Sequence, residues 1–437
     1  MVSPPSLTID EHPATARSPR LAAPRPQSVL LVLVALAPFN GLLLLVAHPG
    51  FLDGWKEGLL LAAVGLAVVG RGSRPPGRPL AVWTPAAIGY LALSAVSAAS
   101  RPSVAALVGL KITGLYALAA AVLWAHPFDA RDRDRLVGIF QVTGIVTALV
   151  GLGQQLAGAN ALAALGFEYN ETIRTAGGML RSFSTFDQPF PFALHVMTAI
   201  LVGLPAALAE PQRRRHRVFL AAMPLLVAGL ASAIVRAALV GLMVGGLYLV
   251  VRRHRALAHA AVPLLVALLV VPSGLAAVFA SSSSLGQRAT GWGEVASKVV
   301  EAPFGIGIGT TGAAAEKVSG RAKVGSLGGL DPTEQSYQPD NAYIRVVLEL
   351  GVIGLWLFVR FLAGAITASR RVERARAGPD RALALGITAT LLASVVAALF
   401  ATYWEIFPMD LELWILLGAL GSIDGAPARV QAEEPGA

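Results

Sequence analysis

The chain has 437 residues, 55% of them hydrophobic and 14% charged, with a formal charge of +9. So apolar a balance excludes an ordinary soluble domain and points to a membrane protein. The absence of cysteine excludes disulfides, thiolate metal sites and a cysteine nucleophile.

Residues 1–27 carry six prolines between Pro4 and Pro26, and Arg17, Arg20 and Arg25, with no apolar periodicity. This pattern predicts a disordered tail rather than a signal peptide. From Val29 onward, apolar stretches close to the roughly 20 residues that cross a bilayer alternate with short polar breaks. Twelve spans are expected, at 28–47, 57–70, 80–99, 103–125, 135–157, 189–209, 217–233, 235–251, 256–280, 341–365, 382–403 and 408–422. The fold class is therefore all-α, with a transmembrane domain over 28–422 and a tail over 423–437. The run Val218–Val251 would make a single helix roughly 51 Å long, too long for a hydrocarbon core of about 30 Å. A tight hairpin with Arg236 near its turn is predicted instead.

Most of the 35 cations fall on one side of these spans, in groups around Arg20, Arg74, Arg133, Arg215, Arg253 and Arg374. Cytoplasmic loops accumulate Arg and Lys, so that side and both termini are expected to be cytoplasmic. The positive charge is then mainly topological and not the basic patch of a nucleic-acid binder. Two long segments, 158–188 and 281–339, fall on the extracytoplasmic side, the second just before the tenth helix. Long external loops are where binding and chemistry concentrate.

Four groups of residues there could carry chemistry. Arg181, before the sixth span, reads either as a snorkelling interfacial arginine or as a binding residue. Arg236 lies inside a long apolar run, where a charge is costly and usually functional. Arg288 opens a stretch in which Trp292, Val295, Ala296 and Val299 follow helical spacing, as in an amphipathic helix on the membrane surface. Gly307, Gly309 and Gly312 spell GxGxxG without the βαβ unit of a dinucleotide fold. These glycines are expected to form a compact turn whose backbone N–H groups approach an anion or a sugar.

Asn341, Arg345 and Glu349 fall at i, i+4 and i+8, so one polar stripe enters the tenth span, where Arg345 and Glu349 can pair. Asp340 reads either as a helix cap or as a catalytic carboxylate. Lys111 and His195 read as satisfied core residues, and Asp53 and Glu57 as cap and solvent-facing groups. Asp331, Glu334 and Asp340 could alternatively serve a metal-dependent transferase.

In this order, over Gly177–Leu362, the features resemble the O-antigen ligase and O-antigen polymerase superfamily of polytopic membrane glycosyltransferases. The residues concerned are Arg181 with Phe183, Phe186 and Pro189, the hairpin with Arg236, Arg288 with Trp292 and the Pro303–Gly309 run, and Asp340-Asn341-Ala342-Tyr343 through Glu349 and Gly351 to Gly354.

The resemblance implies a GT-C-like bundle in the bacterial cytoplasmic membrane that moves a glycan from a polyprenyl-diphosphate (undecaprenyl-type) carrier to a glycan, lipid or protein acceptor. The transfer would occur on the extracytoplasmic face, without metal or other cofactor. It assigns Arg181, Arg236 and Arg288 to the diphosphate, Asp340 to the general base, and Asn341 and Tyr343 to sugar or acceptor orientation. Glu349 would support Arg345. Histidine usually precedes the asparagine in ligases acting on a lipid core, and Asp340 stands there instead, which leaves ligase and polymerase both open. The alternative from another class is a transporter or flippase of lipid-linked glycan, which would show inverted repeats and discontinuous helices.

Overall fold

The computed structural model describes residues 25–47, 54–70, 85–167, 169, 172–176, 178–252, 295–319, 322–323, 336–337 and 341–426. They form a helical bundle. Its first half contains α1 (Pro26–Leu36), continued through a 3-10 turn into α2 (Asn40–Ala47), then α3 (Trp55–Val69), α4 (Pro85–Ser100), α5 (Val104–Gly114), α6 (Ala117–Ala125) and α7 (Ala130–Ala164). An antiparallel hairpin, β1 (Arg174–Ala176) and β2 (Met179–Arg181), precedes α8 (Pro189–Ala209), α9 (Arg214–Ala221), α10 (Met223–Ser232) and α11 (Arg236–Arg252). After α12 (295–301) and α13 (Gly312–Ser319), two-residue strands at Ala322–Lys323 and Ser336–Tyr337 pair in parallel, and α14 (Ala342–Ala375), α15 (Gly378–Ala397) and α16 (Met409–Asp424) follow.

Among the described residues, five helices are long and apolar enough to cross a membrane, with α5 and α6 forming one further candidate bent by 43°. That supports a polytopic membrane protein, although several of the twelve expected spans are shorter helices, and the one at 256–280 lies outside the described residues. The long apolar run is broken where the sequence predicted, since α10 ends at Ser232 and α11 begins at Arg236. The tenth helix runs on to Ala375, past the expected end at 365.

α8 is apolar on all sides, as a central helix must be, and 83% of its apolar window is buried against α7, α10, α11 and α15. Its one interior titratable group, His195, is fully partnered. The Thr143 hydroxyl donates to Ile139 O at 2.7 Å, so it accepts from His195 Nε2 at 3.1 Å. The other ring nitrogen, Nδ1, lies 2.6 Å from Glu412 Oε1, so one proton is shared between them. Imidazolium with carboxylate, or imidazole with carboxylic acid, has the same net charge of zero, which makes burial tolerable. The reading of His195 as a satisfied core residue holds. Lys111 differs: its side chain is half exposed and pairs with Glu57 at 2.6 Å.

One end of the bundle is belted by ion pairs. Arg25 meets Asp132 at 2.9 Å, Arg133 meets Asp380 at 2.9 Å, Arg215 meets Asp134 at 2.8 Å and Arg371 meets Asp424 at 3.1 Å. Arg252 and Tyr248 both reach Glu373, at 3.2 and 2.7 Å. These arginines belong to the groups that the sequence placed on one side, and the carboxylates they bind tie the ends of α1, α7, α9, α11, α14, α15 and α16 together.

Replacing His195 with leucine should leave Glu412 buried without its partner and destabilise the protein by about 3–5 kcal/mol. Thermal unfolding of the detergent-solubilised protein measures this, and the double variant His195→Leu, Glu412→Leu should recover most of the loss. A single variant as stable as the wild type would refute the pairing.

Candidate functional site

At the opposite end, α7 continues past the apolar layer to Gln154 and Gln155, which hold the segment before α8. Gln154 Oε1 accepts from Phe183 N and Ser184 N at 3.0 and 2.7 Å, and its Nε2 donates to Ser184 O at 2.8 Å. Gln155 Nε2 donates to Leu180 O at 2.7 Å and to Ser182 Oγ at 2.8 Å. These bonds fix the backbone on both sides of Arg181. Ser182 N then donates to Ser232 O at 3.0 Å, joining the β-hairpin to the turn between α10 and α11.

In that turn Ile234 adopts φ +52°, a left-handed conformation that disfavours a β-branched side chain by about 1–2 kcal/mol. Such strain is maintained at sites where a particular direction of the chain is needed, and here it starts α11 at Arg236. Arg181 Nε donates to Ala233 O at 3.3 Å while its guanidinium lies 5.3 Å from the Phe190 ring. Burial, and then the charges of Arg174 and Arg236, push the Arg181 guanidinium below its usual value. Arg181 is thus bonded to the turn that starts α11 at Arg236, and Arg174 stands opposite Arg181 in the hairpin.

A second polar centre lies around Arg345. Its Nη2 reaches Glu349 Oε2 at 3.0 Å and Thr113 Oγ1 at 3.0 Å, and its Nε contacts Glu405. Glu349 Oε1 accepts from Gly309 N, Thr311 N and Thr311 Oγ1 at 3.0, 3.2 and 3.2 Å, and Glu405 Oε2 accepts from Ala313 N at 3.0 Å. The expected Arg345–Glu349 pair is present, enlarged by a carboxylate from the turn before α16.

The glycine run interlocks with α14 by its backbone. Ile306 N donates to Leu348 O, Gly307 N to Glu349 O and Val352 N to Pro303 O, at 2.8, 3.1 and 3.0 Å. α14 is broken at Gly351 (φ +69°), where a Cβ would strike Pro303 and Phe304; Gly309 (φ +80°) lies as closely on Ala105. The Gly307 and Gly309 N–H groups, expected to face an anion or a sugar, are thus given to Glu349. A broken helix is also what the transporter reading expects; here the freed groups bond to the glycine run of the same chain. The cavity beside Arg345, bounded by Tyr90, Thr113, Trp404, Glu405 and Asp410, measures 30 Å³, room for water and not for a sugar.

Asn341 and Tyr343 are also committed to the fold. Asn341 caps α14 by accepting from Tyr343 N and Ile344 N at 2.9 and 3.2 Å, and its Nδ2 donates to Leu399 O at 3.1 Å. Tyr343 OH donates to Val395 O at 2.8 Å. The cap is therefore Asn341 and not Asp340. Asp340 and Arg288 lie outside the described residues, as do Asp331, Glu334, Asp53 and Trp292. Val295 of α12 packs against Leu348, with Val299 and Ile344 around them, so this helix rests on α14. Among the described residues no three His, Asp or Glu side chains are grouped to hold a metal ion.

Residues 196–359 match the family model for O-antigen ligase. This match supports an assignment to the O-antigen ligase and polymerase superfamily. The matched segment runs from α8 through Arg236 and the glycine run to α14, and it supports a glycosyltransferase-type enzyme of cell-surface polysaccharide assembly. No curated protein matches the chain.

Sequence reasoning missed Arg174, Gln154, Gln155 and Glu405. The adjacent amides of Gln154 and Gln155 in an otherwise apolar stretch were the available signal; nothing in the sequence joins Glu405 to Arg345. Glu349→Ala should leave Arg345 paired with Glu405 but strand the loop donors of Gly309 and Thr311, at about 1–3 kcal/mol for each buried donor left unpaired, against about 1 kcal/mol for loss of the Asn341 cap. Unfolding midpoints of Glu349→Ala and Asn341→Ala test this order, and equal small shifts would contradict it.

Proposed function

We propose that this protein transfers a glycan from a polyprenyl-diphosphate carrier to an acceptor hydroxyl on the extracytoplasmic face of a bacterial cytoplasmic membrane, with both termini in the cytoplasm. The observation that carries the proposal is the convergence of Arg181 and Arg236 at the end of the bundle opposite the ion-pair belt. Arg236 lies within the ligase-matched segment and Arg181 shortly before it. A guanidinium presents paired donors to phosphate oxygens and keeps its charge at any working pH.

Arg288 is the further cation of the site and Asp340 its general base. The Asp340 carboxylate takes the proton of the acceptor hydroxyl as that oxygen attacks the anomeric carbon. The bond from the anomeric carbon to the diphosphate oxygen breaks, and the arginines stabilise the charge left on the diphosphate. One direct displacement inverts the anomeric configuration. The fixed cations do the work often given to a divalent metal, so turnover should continue in EDTA. The second polar centre, around Arg345, holds the start of α14 against the glycine run.

The test is transfer from a purified polyprenyl-diphosphate glycan. Arg181→Ala, Arg236→Ala and Arg288→Ala should each lower kcat by about 10²–10³-fold, and Asp340→Ala by about 10²–10⁴-fold. Normal turnover in Arg288→Ala or Asp340→Ala would reject the site assignment, and loss of activity in EDTA would reject the metal-free route.

A further inference from the structure

α10 ends at Ser232, and a helix end leaves its last carbonyls without partners in the helix. Some are taken up within the turn, where Ser232 Oγ donates to Gly229 O at 2.7 Å and Ile234 N to Ala231 O at 3.0 Å. The next two go to the segment that carries Arg181. Ser232 O accepts from Ser182 N at 3.0 Å and from Gln155 Nε2 at 3.3 Å, and Ala233 O accepts from Arg181 Nε at 3.3 Å.

Gln155 of α7 touches both sides of this junction. Its Nε2 lies 2.7 Å from Leu180 O, 2.8 Å from Ser182 Oγ and 3.3 Å from Ser232 O. All three oxygens accept, because two are carbonyls and the Ser182 hydroxyl gives its own proton to Gly151 O at 2.7 Å. The amide therefore turns its NH2 group toward them and its Oε1 away. Leu180 and Ser182 flank Arg181, and Ser232 lies in the turn that starts α11 at Arg236. One amide thus holds the backbone under both arginines to α7. Gln154 is buried and has a different reach, since its bonds go to Phe183 and Ser184, between Arg181 and α8. Gln155 is exposed. Water can replace it on each oxygen, so its loss costs little stability, but separate waters do not join the oxygens to one another.

We infer that Gln155 is a positioning residue of the carrier site, which sets the segments of Arg181 and Arg236 at the separation that a diphosphate needs. The inference rests on the proposed function, since it concerns the same carrier. Bonds from a guanidinium fork to phosphate oxygens are directional. Two forks carried on separate segments act on one ligand only if those segments are held to a fraction of an ångström by the groups behind them. Without Gln155, Ser182 N still joins the two segments, but the amide that holds Leu180 and Ser232 to α7 is gone, so the expected loss is partial.

The experiment measures the dissociation constant of undecaprenyl diphosphate for the full chain in nanodiscs by native mass spectrometry, beside the thermal unfolding midpoint. Gln155→Leu should weaken binding by about tenfold, roughly the effect of one charge-assisted hydrogen bond, with the midpoint nearly unchanged. Gln155→Met, closer in length and equally without a donor, should lose the same amount. In an Arg181→Gln, Arg236→Gln background either substitution should change the remaining affinity by less than about twofold, because its effect runs through those two side chains. A merely structural role would give the same fold-loss in that background as alone, with a lowered midpoint. That result, or wild-type affinity in Gln155→Leu and Gln155→Met, overturns the inference. Failure of the underlying reading has a different signature. In that case Arg181→Gln and Arg236→Gln leave diphosphate binding as it is, or the wild type does not bind the carrier.

Discussion

Arg345 sits between Glu349 and Glu405 with almost no access to solvent, and much of this end of the bundle is arranged around that fact. A buried guanidinium needs a carboxylate, and two carboxylates against one cation leave an excess of acceptor oxygens. The backbone N–H groups of Gly309, Thr311 and Ala313 fill that excess. The loop before α13 is therefore bound to α14 by charge-assisted bonds, α5 joins through Thr113, and the turn before α16 joins through Glu405. Breaking one member leaves a charge in a low-dielectric interior, which is why such networks rigidify when complete and fail badly when incomplete.

This constraint separates two kinds of polar residue that look alike in an apolar sequence. Those around Arg345 bond to one another and to the backbone, and the space beside them admits only water. Those at the hairpin and the α10–α11 turn are cations brought beside other cations, with their backbones held by Gln154, Gln155 and Ser182. The first group keeps helices in register; the second is the group to which the proposed function assigns the carrier diphosphate. The O-antigen ligase match covers the Arg236 turn, the glycine run and the first part of α14.

The glycine run shows the limits of reading a motif by its local chemistry. Bare N–H groups suggested an approach to phosphate or sugar, and the approach is real, but the partner is Glu349 of the same chain. Asn341 and Tyr343 follow the same course: polar residues at the start of a span were read as facing a ligand, and they cap and anchor α14. Arg174 is the opposite case. It lay in the same external segment as Arg181 without distinction, because strand pairing over three residues leaves too faint a pattern to set a register.

The sequence alone determined the membrane class, most of the helices, the break before Arg236, the side on which the arginine belt lies, and the pairing of Arg345 with Glu349. These follow from apolar length, charge placement and helical spacing, all of which act within one element or between an element and the bilayer. Only the tertiary structure decided that Glu405 completes the Arg345 network, that Glu412 partners His195, and that Arg174 stands beside Arg181. Each of these joins residues through space rather than along the chain, and which buried charge meets which is set by how the helices pack.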